Sequence, residues 1–165
     1  MKIIIKPKKI TKKNFKKFGD LISTKKIKPI NINNGYAKRF DNLCKINTSL
    51  KNGNTIMSIF SAKKRSFAMK IDMMEKHPIG SQAFVPMKET KFLVFVAPKG
   101  IIPNIEKIEC FIVPKQTGIN YKPGIWHFPL ISTKNMNFLV IDRKGIGNNL
   151  VIYKFKNEKI FLKQK

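Results

Sequence analysis

His77 and His127 are the only two imidazoles in the chain. His77 lies in "EKHPIGSQAF", residues 75–84, and His127 in "KPGIWHF", residues 122–128. An imidazole ordinarily titrates at about 6.5, so it can move protons near neutrality or offer a neutral nitrogen to a metal. Glu75 stands two positions before His77, a spacing that puts both side chains on one side of an extended segment. Pro78 holds His77 extended. Gly80 permits a turn, and Gln82 then opens a strand with Phe84 on its face. In the second segment Pro123-Gly124 makes a tight turn, and alternation puts Ile125 and His127 on one face and Trp126 and Phe128 on the other. His127 is then either a group pointing into a cavity or a half-buried histidine satisfied by a backbone carbonyl. Glu75 is either a partner of His77 or a solvated carboxylate beside Lys76.

In a barrel, His77 and Gln82 can meet His127. Two histidines with Gln82 or Glu75 also form a weak metal set. Other chemistries lack their motifs. There is no G-x-S-x-G nucleophile elbow, no P-loop and no dinucleotide fingerprint. The lone G-x-G in "GIGNN", residues 145–149, reads as a turn. Cys44 and Cys110 give no disulfide framework and no C-x-x-C, so a reduced, cytoplasmic protein is expected.

The elements that must position these residues are mostly strands. "SQAFVPM", "KFLVFVAP", "KIECFIVP", "TGINY", "WHFPLIS", "NFLVID" and "NLVIYKF" recur with Gly, Pro or Asn at nearly every break. That rhythm predicts an all-β sandwich or barrel, with the jelly roll the simplest architecture. Upstream, "KIIIKP" and "NTIMSIFSA" read as strands and "INNGYAKRF" as a turn opening into one. "KIDMMEKHP" reads as partly irregular. One short helix is predicted over Thr11–Phe18, capped by Thr11, with Phe15 and Phe18 on one face and Gly19 ending it.

At 165 residues the chain suits a single domain with a real core, spanning 1–165. No apolar run reaches the roughly 18 residues of a membrane span. The N-terminus lacks the long apolar stretch of a signal peptide. The net charge of +25 first suggests a polyanion partner. Yet the lysines run the whole length without a dominant block, and arginine occurs only at Arg39, Arg65 and Arg143. We read the charge mainly as a compositional background that draws small anions to the surface, and expect no nucleic-acid partner.

"EKHPIGSQAFVPM", "GINYKPGIWHFPL", "FLVIDRKG", "INNG" and "FGDLI" together resemble the ureidoglycolate lyase family of allantoin degradation. The resemblance runs from about residue 2 to residue 150. It implies a cupin-like double-stranded β-helix, a jelly-roll barrel, and a homodimer that cleaves a small anionic substrate, ureidoglycolate, to glyoxylate and urea. Under it, His77, His127 and Glu75 are the expected catalytic groups. Gln82, Tyr121 and Arg143 are the expected substrate contacts; Arg143 is either the cation for the carboxylate or part of a structural Asp142–Arg143 turn, with a nearby lysine the other source of that charge. A divalent metal, nickel in the family's usual form, would be held by His77, Gln82 and His127, while the sequence itself demands none and leaves a metal-free route open. The sequence departs from the family at Ser61, where many relatives carry arginine, and at Phe128, where some carry a second histidine. The two histidines and glutamate of the usual first cupin motif are not intact. A non-catalytic module binding a small carboxylic acid is the alternative reading.

Overall fold

The computed structural model describes residues 2–66 and 68–163. Its strands form a five-stranded and a seven-stranded sheet, with a three-stranded sheet and a two-stranded hairpin added. In the five-stranded sheet Gly19–Ile22, Gly118–Tyr121, Gln82–Pro86, Met136–Lys144 and Asn54–Ala62 lie side by side. In the seven-stranded sheet the order is Val151–Lys154, Met73–Lys76, Trp126–His127, Phe92–Ala97, Glu109–Val113 and Lys8–Lys9, and Ile131–Ser132 also pairs with Phe92–Ala97. Nearly every pairing is antiparallel. Lys2–Ile5 beside Lys159–Leu162 and Lys8–Lys9 beside Glu109–Val113 are parallel. The expected jelly-roll, cupin-like character is present as two stacked sheets. Their ladders do not join into one closed barrel among the described residues.

The strand Phe92–Ala97 shows how the layers are held. All six residues are buried. Phe92, Val94 and Val96 join a core with Phe84, Tyr121, Phe138 and Val140 from the five-stranded sheet. Leu93, Phe95 and Ala97 join a second core with Trp126, Phe128, Ile160 and Leu162. A strand buried on both faces must be apolar at every position, which is why this run shows no alternation.

The helix is shorter than the spacing predicts, covering Lys12–Phe15. Thr11 caps it through a reciprocal capping box with Asn14. Phe15 and Phe18 are both fully buried against Phe111. Gly19 does not end the helix but begins a strand. A Cβ there would lie 1.9 Å from the Asn120 carbonyl oxygen, so close strand packing demands the glycine. The segment 70–78, expected to be partly irregular, falls largely within two short strands, Met69–Ile71 and Met73–Lys76. "INNG" turns through Asn34 and Gly35 at positive φ, between the paired strands Ile30–Ile32 and Ala37–Arg39. No lysine among the described residues is buried. No helix among them is long and apolar enough to cross a membrane.

Candidate active site

Two strand pairings and one local spacing bring the site together. His127 stands directly opposite Glu75 on adjacent antiparallel strands, so the two side chains share a face. His77 lies two positions beyond Glu75 and faces the same way. Tyr121 stands opposite Gln82 on the facing sheet, with both side chains inward. The result is a cavity of about 360 Å³ lined by Glu75, Gln82, Tyr121 and His127, with Phe84 and Phe92 as apolar walls. The two imidazole centroids are 5.4 Å apart although fifty positions separate them in sequence. Tyr121 stacks on His127 at 4.4 Å and 15°.

Each imidazole is oriented through Nδ1. That of His77 donates to the Asn149 carbonyl at 2.6 Å, and that of His127 to the Ile125 carbonyl at 3.1 Å. A carbonyl only accepts, so each Nδ1 carries the hydrogen, and in the neutral ring the lone pair sits on Nε2. Both Nε2 atoms are buried without a hydrogen-bond partner. His127 Nε2 lies 3.5 Å from the Glu75 carboxylate, an electrostatic contact rather than a well-formed hydrogen bond. One ligating atom from each of Glu75, His77 and His127 falls within 4.8 Å of the others. Gln82 Oε1 is a further buried acceptor without a partner. Acceptors this buried and this crowded beside the cavity call for a proton or a cation among them.

The charge states follow from this crowding. Burial pushes the His77 imidazole below its ordinary value, and the neighbouring His127 lowers it further, against the pull of the Asn149 carbonyl and the Glu75 and Asp142 charges. Burial pushes the Glu75 carboxyl up, but contact with His127 and the charges of both histidines outweigh it, and its pKa is lowered. Glu75 therefore remains a carboxylate. Burial, with the Cys110 and Glu75 charges, drives the Tyr121 phenol far up, so it remains a donor.

Arg143, expected to hold a substrate carboxylate, does not line the cavity. Its Nε and Nη2 donate to the Leu50 carbonyl at 3.0 and 2.7 Å, and Nη2 also to those of Lys51 and Ile146. Alternation is the reason. Met136, Phe138 and Val140 face the core, so Asp142 points inward and Arg143 outward. Asp142 thus lies on the His77 side, behind the cavity wall, near enough to His77 to favour its charged form, with Oδ1 buried and unpartnered. The same two-residue period, carried from Phe138 through Val140, marks Asp142 in the sequence. The Asn149 and Ile125 carbonyls leave no such mark, because a backbone group is the same in every residue. "GIGNN" is a turn as expected, but its last residue positions His77: the Asn149 side chain also accepts from the Ile79 amide at 3.1 Å.

The donor set fits a divalent cation, with both Nε2 atoms orphaned, both Nδ1 atoms tied to carbonyls as in metal-ligating histidines, and a carboxylate beside them. Gln82 shares the cavity with Glu75 and His127.

The fold is a β-sandwich of cupin-like character that brings two histidines and a carboxylate together beside a small cavity, an arrangement able to support acid–base or metal-assisted chemistry. The family model described as ureidoglycolate lyase matches residues 2–162. The chain is 42% identical over 146 residues to the ureidoglycolate lyase of Pseudomonas paraeruginosa, covering 88% of this chain and 86% of that protein. It is 40% identical over 150 residues to that of Pseudomonas fluorescens, covering 90% of each. To that of Pseudomonas syringae it is 42% identical over 149 residues, covering 90% and 86%. The chain belongs to the ureidoglycolate lyase family.

Proposed function

We propose that this protein cleaves ureidoglycolate to glyoxylate and urea, a carbon–nitrogen lyase reaction of allantoin catabolism. The observation that carries the reading is the cluster of His77, His127 and Glu75, within 4.8 Å of one another through one ligating atom each, with Glu75 and His127 lining a cavity sized for a small ligand and His77 behind them. Ureidoglycolate bears a hydroxyl, a carboxylate and a urea nitrogen on one carbon. His77, held neutral by burial, accepts the hydroxyl proton at Nε2. The oxygen electrons close to the aldehyde carbonyl and the C–N bond breaks towards nitrogen. That nitrogen takes a proton from Nε2 of His127, which faces the Glu75 carboxylate at 3.5 Å. Passing the captured proton from His77 to His127 resets the site. Tyr121, protonated, donates to the developing carbonyl, and Gln82 holds the urea or hydroxyl. Glu75, His77 and His127, with Gln82 beside them, would also hold a divalent ion such as nickel, which when bound supplies Lewis-acid polarisation of the hydroxyl.

The enzyme acts as one domain, residues 1–165, and as a homodimer. The strand Asn54–Ala62 supports the dimer. It is nine residues long, edges the five-stranded sheet, holds no charge or proline, and exposes Met57 and Ile59. Such an edge ordinarily needs covering. Two unpaired thiols fit a reducing cytoplasm. The test is purified protein with ureidoglycolate, following urea and glyoxylate with and without a chelator. Urea as the nitrogen product supports the reading. Ammonia as the primary product, or no turnover under either condition, sinks it.

A further inference from the structure

With Arg143 committed to backbone carbonyls, another cation must meet the substrate carboxylate, and the cavity wall offers Lys63, Lys64 and Arg65. We propose that Arg65 is that anchor, an assignment that rests on the lyase reading. The backbone of Lys64 and Arg65 is held alike, but only the Arg65 head group is packed on a ring of the cavity wall. The Arg65 amide donates to the Ser132 carbonyl at 2.9 Å, and the preceding residue bridges to Ser132 as well. Its guanidinium carbon sits 5.1 Å from the ring centroid of Phe128. Phe128 follows His127 directly and itself lines the cavity. The stacked guanidinium is thus tied to the residue next to a catalytic imidazole, with its planar fork available for bidentate contact with a carboxylate. Lys63 and Lys64 are exposed and carry flexible point charges on the same rim.

The proposal adds a specificity rule: the site takes small 2-hydroxy acids bearing a free carboxylate and discriminates against their amides. Arg65 is exposed, so its replacement spares the core. The experiment compares wild type, Arg65→Ala, Arg65→Lys, Lys63→Ala and Lys64→Ala. Each is assayed for kcat and KM on ureidoglycolate, and for glycolate binding by calorimetry. Arg65→Ala is expected to raise KM by about 10- to 100-fold while kcat falls less than about fivefold, the pattern of a lost charge-assisted contact made before the chemistry. Glycolate binding should weaken in parallel, Arg65→Lys should recover part of it, and the two lysine variants should stay near wild type. An unchanged KM in Arg65→Ala, or an equal rise in Lys63→Ala or Lys64→Ala, overturns the assignment. Absence of wild-type turnover would instead count against the lyase reading, and the glycolate titration would then still decide the role of Arg65.

Discussion

Replacing His127 with alanine removes one of the two groups proposed above to transfer protons, and the geometry sets how much else is lost. The ring is almost fully buried, stacked on Tyr121 at 4.4 Å, and bonded through Nδ1 to Ile125. The stacking is worth about 0.5–1.5 kcal/mol beyond area burial, and the single hydrogen bond about 0.5–1.5 kcal/mol. Together with the void left behind, a loss of about 2–4 kcal/mol is expected. That lies within the roughly 5–15 kcal/mol by which domains are stable, so the variant should fold with a lowered Tm. Turnover should fall by about 10²–10⁴-fold, the usual worth of a general acid or base. Glyoxylate release under saturating substrate, read beside a thermal melt by circular dichroism, separates the two effects. His127→Gln keeps most of the volume but cannot shuttle a proton, so it should recover stability without recovering rate. A folded His127→Ala enzyme turning over near the wild-type rate would refute the placement of His127 in the chemistry.

Because His77 is needed neutral and its pKa is depressed, activity should hold at neutral pH and be lost as pH falls through a midpoint below 6.5; a kcat/KM–pH profile with its acid limb above that value would contradict the assignment. Arg143→Lys should destabilise the protein by about 2–4 kcal/mol, since a lysine cannot reproduce the fork across the Leu50, Lys51 and Ile146 carbonyls. Chemical denaturation measures that loss, and a raised KM at unchanged stability would show Arg143 to be a substrate contact after all. Cys110 is buried and its thiol is pushed up to about 12, so it should resist a thiol reagent until the chain unfolds. Labelling of Cys110 in the native state, located by peptide mapping, would show that its core opens.

The all-β architecture was legible because period-two alternation and turn residues are local properties, written residue by residue into "SQAFVPM" and "TGINY". The same local rule put Ile125 and His127 on one face, and the short helix is announced by Thr11, Phe15 and Phe18. Local rules also set the limits of reading. The Phe92–Ala97 run carries no period because it is buried from both sides, and only the stacking of a further sheet shows which residues face which core. That Glu75 would stand opposite His127 is a matter of register between strands separated by some fifty residues, and no local signal encodes register. The tautomers of both histidines rest on the carbonyls of Asn149 and Ile125, groups common to every residue and visible only once the chain has folded over them. Arg143 and Arg65 are the same side chain with the same charge. Strand alternation, read in the context of the packed core, turns the first outward onto backbone carbonyls, while a backbone bridge to Ser132 and the ring of Phe128 hold the second at the cavity wall. Residue type thus names the chemistry available, and the long-range pairing of strands decides which copy of it reaches the site.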